Sequence, residues 1–190
     1  KPKTNDLVDG FDPAKASYDG INQQKLTSNG ASLRLRWELP GMALTSISGY
    51  EHVKVFSRGD IDGGFGASFL GAGNYGPGNI PFDAESADGL PKHRQITQEL
   101  RLESTGKGPV GWIGGLYYFD EVIDIDSFNY SSIGGNTQNG YATQHQSNKA
   151  WAVFGSVNVD VSKDFRIRGG LRYTNDRKDF VADRIQAPPF

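Results

Sequence analysis

A two-residue alternation of apolar and charged side chains, repeated in segment after segment, constrains this chain more than any other feature. From about Lys25 onward, Thr27, Asn29, Ala31, Leu33, Leu35, Trp37 and Leu39 occupy one parity, and Ser32, Arg34, Arg36 and Glu38 the other. Successive side chains of a strand point to opposite faces, so this is a long strand with one apolar face and one charged face. The segment "QITQELRLES" repeats the device, with Ile96, Leu100 and Leu102 opposed to Gln95, Thr97, Glu99, Arg101 and Glu103. Trp151, Val153, Gly155, Val157 and Val159 then oppose Ala152, Ser156, Asn158 and Asp160, and Phe165, Ile167, Gly169, Leu171 and Tyr173 oppose Arg166, Arg168, Gly170, Arg172 and Thr174. Two further strands, "ALTSISGYEHVKVFS" and about Val110 to Ile125, have mixed faces and an uncertain register.

The connections between these strands take turns in length. Pro40 to Met42, "TGKGP" and "SKD" are tight turns. Two stretches are long and rich in Gly, Asp, Asn and Pro: about Arg58 to Arg94, and the one holding "GGNTQNG" that runs to about Lys149. Residues Lys1 to about Gln23 and the end around Pro188 and Pro189 also read as loop. A structureless connection of more than about 15 residues is unusual unless it is functional or disordered. Short turns at one end and long loops at the other form the connection pattern of a transmembrane β-barrel. The expected fold class is therefore all-β: an antiparallel transmembrane β-barrel segment of about six strands.

Composition agrees and removes other classes. The 190 residues are 36% hydrophobic and include 25 Gly, 9 Pro, 8 Tyr and 11 Phe, a turn-rich mixture with little helix-forming material. A net charge of −2 offers no field to gather nucleic acid, so no nucleic-acid partner is expected. The absence of cysteine removes disulfides, thiolate metal sites and a cysteine nucleophile. No run approaches the roughly 18 apolar residues of a spanning helix.

The charged parity decides between two solvents for the apolar face. In a soluble sandwich that face meets a second sheet, and Arg34, Arg36 and Glu38 or Glu99, Arg101 and Glu103 are a solvated surface. In a barrel those ladders line a water-filled lumen while Leu, Val and Trp touch lipid. Trp37, Trp112, Trp151, Tyr117 to Phe119 and Tyr173 then fall near strand ends, where rings favour the headgroup zone. The strands, at about 10 to 15 residues, match or exceed the 9 to 11 needed to cross a bilayer. A secreted sandwich acting as a carbohydrate-binding or adhesive module is the alternative, and a self-contained small barrel a third.

The segments "ITQELRLEST" and "VGWIGGLYYFDE", within Ile96 to Glu121, resemble the barrel portion of TonB-dependent outer-membrane receptors, particularly the siderophore-receptor type. So do "KAWAVFGSVNVDVSKDFRIRGGLRYTNDRKDF", Lys149 to Phe180, and "SLRLRWELPGMALTSISGYE", Ser32 to Glu51. The resemblance implies a large barrel of about 22 strands, monomeric when complete and plugged by an N-terminal domain. It also implies a place in the bacterial outer membrane and import energised through the TonB complex. The ligands implied are scarce ones, most often ferric siderophores and sometimes cobalamin, haem or carbohydrates. No plug or TonB-contacting segment is recognisable here, and "RIQAPPF" lacks the aromatic alternation of a terminal barrel strand. The chain is thus expected to be part of one β-barrel domain of a longer receptor.

No residue pattern points to chemistry of the chain's own. His52, His93 and His145 are far apart and form no recognisable Ser/His/Asp set. "STGKG" lacks the spaced glycine and the helix of a P-loop. Asp60 with Asp62, and Asp120, Glu121, Asp124 and Asp126, are oxygen donors without the spacing of an EF-hand. No catalytic residue, cofactor or metal site is therefore read, and no enzyme is expected. For ligand capture the candidates are residues of the long loops. Phe65, Phe69, Tyr75, Phe82, Phe128, Tyr130 and Tyr141 offer rings to an apolar siderophore, and Arg58, His93 and Arg94 offer positive charge.

Overall fold

A computed structural model describes residues 12–15, 18, 20–61, 84–131 and 137–186. Six strands follow one another: β1 (Gln23–Leu39), β2 (Met42–Asp60), β3 (Glu85–Ser104), β4 (Val110–Ser131), β5 (Thr137–Asp160) and β6 (Arg166–Gln186). They form one antiparallel meander in sequence order, with no pairing between β1 and β6. The six strands therefore do not close a small barrel by themselves.

The tight turns form where the sequence places them. Pro40 and Gly41 join Leu39 to its partner Met42, and Gly41 adopts φ of 73°, a region that a side chain would strain. The turn after β5 is closed by the Val161 and Ser162 amides, which donate to the Phe165 carbonyl at 2.9 and 3.1 Å.

At the opposite end the strands run further than their apolar patterning. β3 begins at Glu85 rather than near Gln95, β4 continues to Ser131, and β5 begins at Thr137 rather than near Lys149. Most of the second expected long loop is thus strand, leaving only 132–136 between β4 and β5. The physical reason is that alternation is enforced only where one face is dry. Beyond that zone both faces are wetted, and the ladder persists with Thr, Gln, His and Asp on either side. Pro91, unable to donate to a ladder, sits where the β3–β4 register shifts between Gly89 and Lys92.

The register sorts the side chains into two faces. Leu35, Trp37 and Leu39 share one with Leu44, Tyr50, Ile96, Leu100 and Leu102, and with Trp112, Leu116, Tyr118, Trp151, Val153, Val157, Leu171 and Tyr173. Large apolar residues on this face are exposed: Leu116 is 53% and Leu171 88% accessible. Among the described residues the buried apolar ones are only Ala43, Ala87 and Ala152. A soluble sandwich needs large side chains packed between two sheets, and the described residues provide neither the second sheet nor the packing.

The apolar face is a band of constant height crossed by tilted strands. Its loop-end edge runs through Tyr50, Ile96, Tyr118, Trp151 and Tyr173, whereas the ladder from Tyr50 leads through Ile96, Asp120 and Lys149 to Arg177. Over four strand steps the edge falls four residues behind the ladder. The turn-end edge drifts likewise, reaching Val110, Val159 and Phe165 while the ladder from Met42 leads to Ser104 and, further on, Val157 meets Gly169. A stagger of about one residue per strand, 3.3 Å along against 4.8 Å across, corresponds to a tilt of about 35°. The eight steps from Val110 to Tyr118 then span about 22 Å of height, close to the thickness of an outer-membrane hydrocarbon band.

Candidate functional site

The face opposite the apolar band carries the ionic ladder. Near the turn end Arg36 bridges Glu38 and Glu103, and Arg101 pairs with Glu99. Such residues cannot face hydrocarbon without several kcal/mol of cost each, so this is the watered side of the wall. The apolar band has polar interruptions of its own, Ser46, Ser48 and Gln98, and they satisfy one another. Ser48 Oγ donates to Gln98 Oε1 at 2.5 Å, and Gln98 Nε2 donates to Ser46 Oγ at 2.9 Å.

Midway up the watered face lies an aromatic and basic patch. The Arg172 guanidinium stands 5.4 Å from the Tyr117 ring centroid and 5.7 Å from that of Phe154, and its Nε donates to Thr174 Oγ1 at 3.1 Å. Gly115 makes room for the Phe154 ring, since a Cβ there would collide with Phe154 Cζ and lie 2.9 Å from Phe154 Cε1. Arg172 forms no ion pair among the described residues, so the patch presents a cation held against two rings. Further toward the loop end, His93 Nε2 lies 3.1 Å from Glu121 Oε1. Beside them Asn148, the ladder partner of Glu121, buries an Oδ1 that has no hydrogen-bond partner among the described residues.

The residues expected to capture ligand divide differently from the expectation. Phe65, Phe69, Tyr75 and Phe82 lie outside the described residues. Arg58, His93, Arg94, Phe128, Tyr130 and Tyr141 lie on strands rather than in loops, because the strands outlast their apolar pattern. Of these six only His93 is on the watered face. Arg94 bonds Asp120 at 2.6 Å on the apolar-band side, just beyond its edge. Phe128 and Tyr141 face outward too, with centroids 5.3 Å apart.

Arg58 is occupied structurally: it pairs with Glu85, whose side chain is 4% accessible, and lies 4.3 Å over the Tyr130 ring. Glu85 also accepts the Ile21 amide at 2.7 Å, tying the segment before β1 to the strand ends. The acidic run after Phe119 is likewise split by parity. Glu121 faces the watered side, whereas Asp120, Asp124 and Asp126 face outward and serve Arg94, His145 and Tyr141 respectively.

Tyr117 and Phe119 correct the expected aromatic belt. They have the parity of Glu121 and point to the watered side, while Tyr50, Tyr118, Trp151 and Tyr173 form the outward edge, with Trp151 and Tyr173 centroids 5.6 Å apart. Tyr117, Phe154 and Arg172 lie on strands and not in the long loops from which ligand contacts are expected. Their parity, shared with the charged ladder, was the available signal.

A tilted, open-edged sheet with an apolar band of about 22 Å outside and an ionic ladder inside is a segment of an outer-membrane β-barrel. The family model described as TonB dependent receptor-like, beta-barrel, matches residues 2–187. The chain belongs to that family, whose members are receptors and transporters of the bacterial outer membrane rather than enzymes. A search of curated proteins gives no match to this chain.

Proposed function

We propose that these six strands are one sector of the wall of a larger receptor barrel, of about 22 strands, that imports a ferric siderophore. In this reading β1 and β6 pair with further strands of the same protein, which is monomeric when complete. Energy comes through the TonB complex, reached by a region N-terminal to the barrel, and the chain performs no chemical step and holds no cofactor.

The observation that supports a siderophore, within the family's range of ligands, is the watered-face patch. A guanidinium beside Tyr117 and Phe154, with no ion pair among the described residues, suits an anionic chelate bearing apolar or aromatic groups. The test uses the complete receptor. Iron-limited cells expressing it are offered a panel of ferric siderophores, and binding to the purified protein is titrated for the native form and for Arg172→Ala. A matching siderophore should support growth only with TonB present, and the variant should bind it at least tenfold more weakly with barrel folding intact. Correctly folded receptor that binds no siderophore while taking up another ligand would overturn the siderophore assignment.

A further inference from the structure

Above the membrane the watered face carries an apolar island. On β2, Val53 and Val55 point inward on either side of the outward Lys54, and on β4 Ile123 and Ile125 do the same around Asp124. Leu26, the ladder partner of Val55 on β1, and Leu90, its partner on β3, complete the island. It begins three residues past Tyr50 on β2 and ends seven past Tyr118 on β4, about 8 to 19 Å above the band at a tilt of about 35°. Leu26 is 64% accessible there. Among the described residues nothing packs over the island, because each strand touches only its neighbours in one sheet. A contiguous group of apolar side chains left open to water marks a place where something apolar docks.

The island is continuous with the ring and guanidinium patch below it. Every second residue of β4 faces inward, so Tyr117, Phe119, Glu121, Ile123 and Ile125 form one column rising from that patch. The one charge in the column, the Glu121 carboxylate, is drawn aside by His93 Nε2 at 3.1 Å. On β5 the ladder partners of Tyr117 and Phe119 are Ala152 and Ala150, which keep the flank of the column small and uncharged. From Tyr117 to Ile123 the column climbs six residues, about 20 Å. A cation held against two rings thus stands at its foot, and a group of aliphatic side chains at its head. Those two ends match a molecule with an anionic head and an extended apolar tail. An aliphatic tail fits better than an aromatic one, because the side chains of the island are all Leu, Val and Ile.

We infer that the island holds the fatty-acyl tail of an amphiphilic ferric siderophore whose chelate head sits at Arg172, Tyr117 and Phe154. The inference rests on the siderophore reading and narrows it to acylated members of that class. A chain lying along one wall buries about half of its surface, which is worth about twofold in affinity per methylene.

The experiment uses the complete receptor in lipid nanodiscs, with empty discs subtracting any partition of the tail into lipid. The probes are matched catecholate, hydroxamate and carboxylate ferric chelates, each carrying either an acetyl or a tetradecanoyl group. Native protein is compared with Val53→Gln/Val55→Gln and with Ile123→Gln/Ile125→Gln. These lie on separate strands, so either suffices if the other fails to fold, and heat-modifiable gel migration reports folding. Expected is a chelate whose tetradecanoyl form binds at least tenfold tighter than its acetyl form. Each folded variant should lose that preference while its binding of the acetyl form stays unchanged. Equal binding of the two forms by the native protein would overturn the inference and leave the siderophore reading in place, the island then being covered by another part of the receptor. A preference retained in a folded variant would overturn it too. If no chelate binds in either form, the siderophore reading itself fails and the inference falls with it.

Discussion

At the scale of single residues, close approach decides more than charge. Gly115 sits where a Cβ would lie 2.7 Å from the Leu100 carbonyl oxygen and 2.9 Å from Phe154 Cε1, and neither a strand backbone nor a packed ring retreats easily. Gly115→Ala should therefore destabilise the complete barrel by about 1–3 kcal/mol, the range for overpacking, read as an earlier urea-unfolding midpoint. Tyr141, well beyond the apolar band, has its phenol held above the ordinary value. The causes are first its hydrogen bond to Asp126, then partial desolvation and the carboxylate's charge. A raised value favours the protonated phenol in the folded state. Its stabilisation is complete below the ordinary phenol value of about 10 and disappears as pH climbs through the raised one. In ultraviolet titration of tyrosinate, Asp126→Asn should move the ionisation of Tyr141 to lower pH. An unchanged titration curve in that variant would remove the Asp126 explanation.

At the scale of the strand, parity assigns solvent, and two substitutions of the same kind should part company. Leu116, 53% accessible on the outward face, lies within the hydrocarbon band, whereas Thr97 on β3 faces the watered side. Leu116→Arg should cost about 2–4 kcal/mol in the complete barrel, while Thr97→Arg should stay within about 1 kcal/mol. Equilibrium unfolding in lipid vesicles measures both, and equal costs would contradict the assignment of faces. Parity was legible in β1, β3, β5 and β6, where Leu, Val and Trp alternate with Arg, Glu and Asn. It failed beyond the band, from Asp120 through Ser131 and from Thr137 through Asn148, because no dry face remained to impose a pattern. Arg58, Arg94, Phe128, Tyr130 and Tyr141 were consequently read as loop residues available to ligand, and their strand positions turn them outward instead. His93 alone among the described candidates reached the watered wall.

At the scale of the whole molecule, the open edges of β1 and β6 dominate. Each presents unpaired backbone groups along the membrane band, and an unsatisfied peptide group in hydrocarbon costs several kcal/mol. The 190-residue chain alone should accordingly fail to insert into lipid vesicles as a heat-modifiable barrel, whereas the complete receptor should do so. Cooperative insertion of the segment alone would show that its edges find each other. The sequence by itself determined the fold class, the tight turns at Pro40 to Met42 and Ser162 to Asp164, and the family, because alternation and turn chemistry are local and repeat along the chain. Only the tertiary structure decided which rings share a face, where the strands end, and that Tyr117, Phe154 and Arg172 meet. Those depend on the register between neighbouring strands and its shifts at Val53 and Gly89. A register shift moves a residue from one face to the other, and no local pattern in a strand wetted on both sides records it.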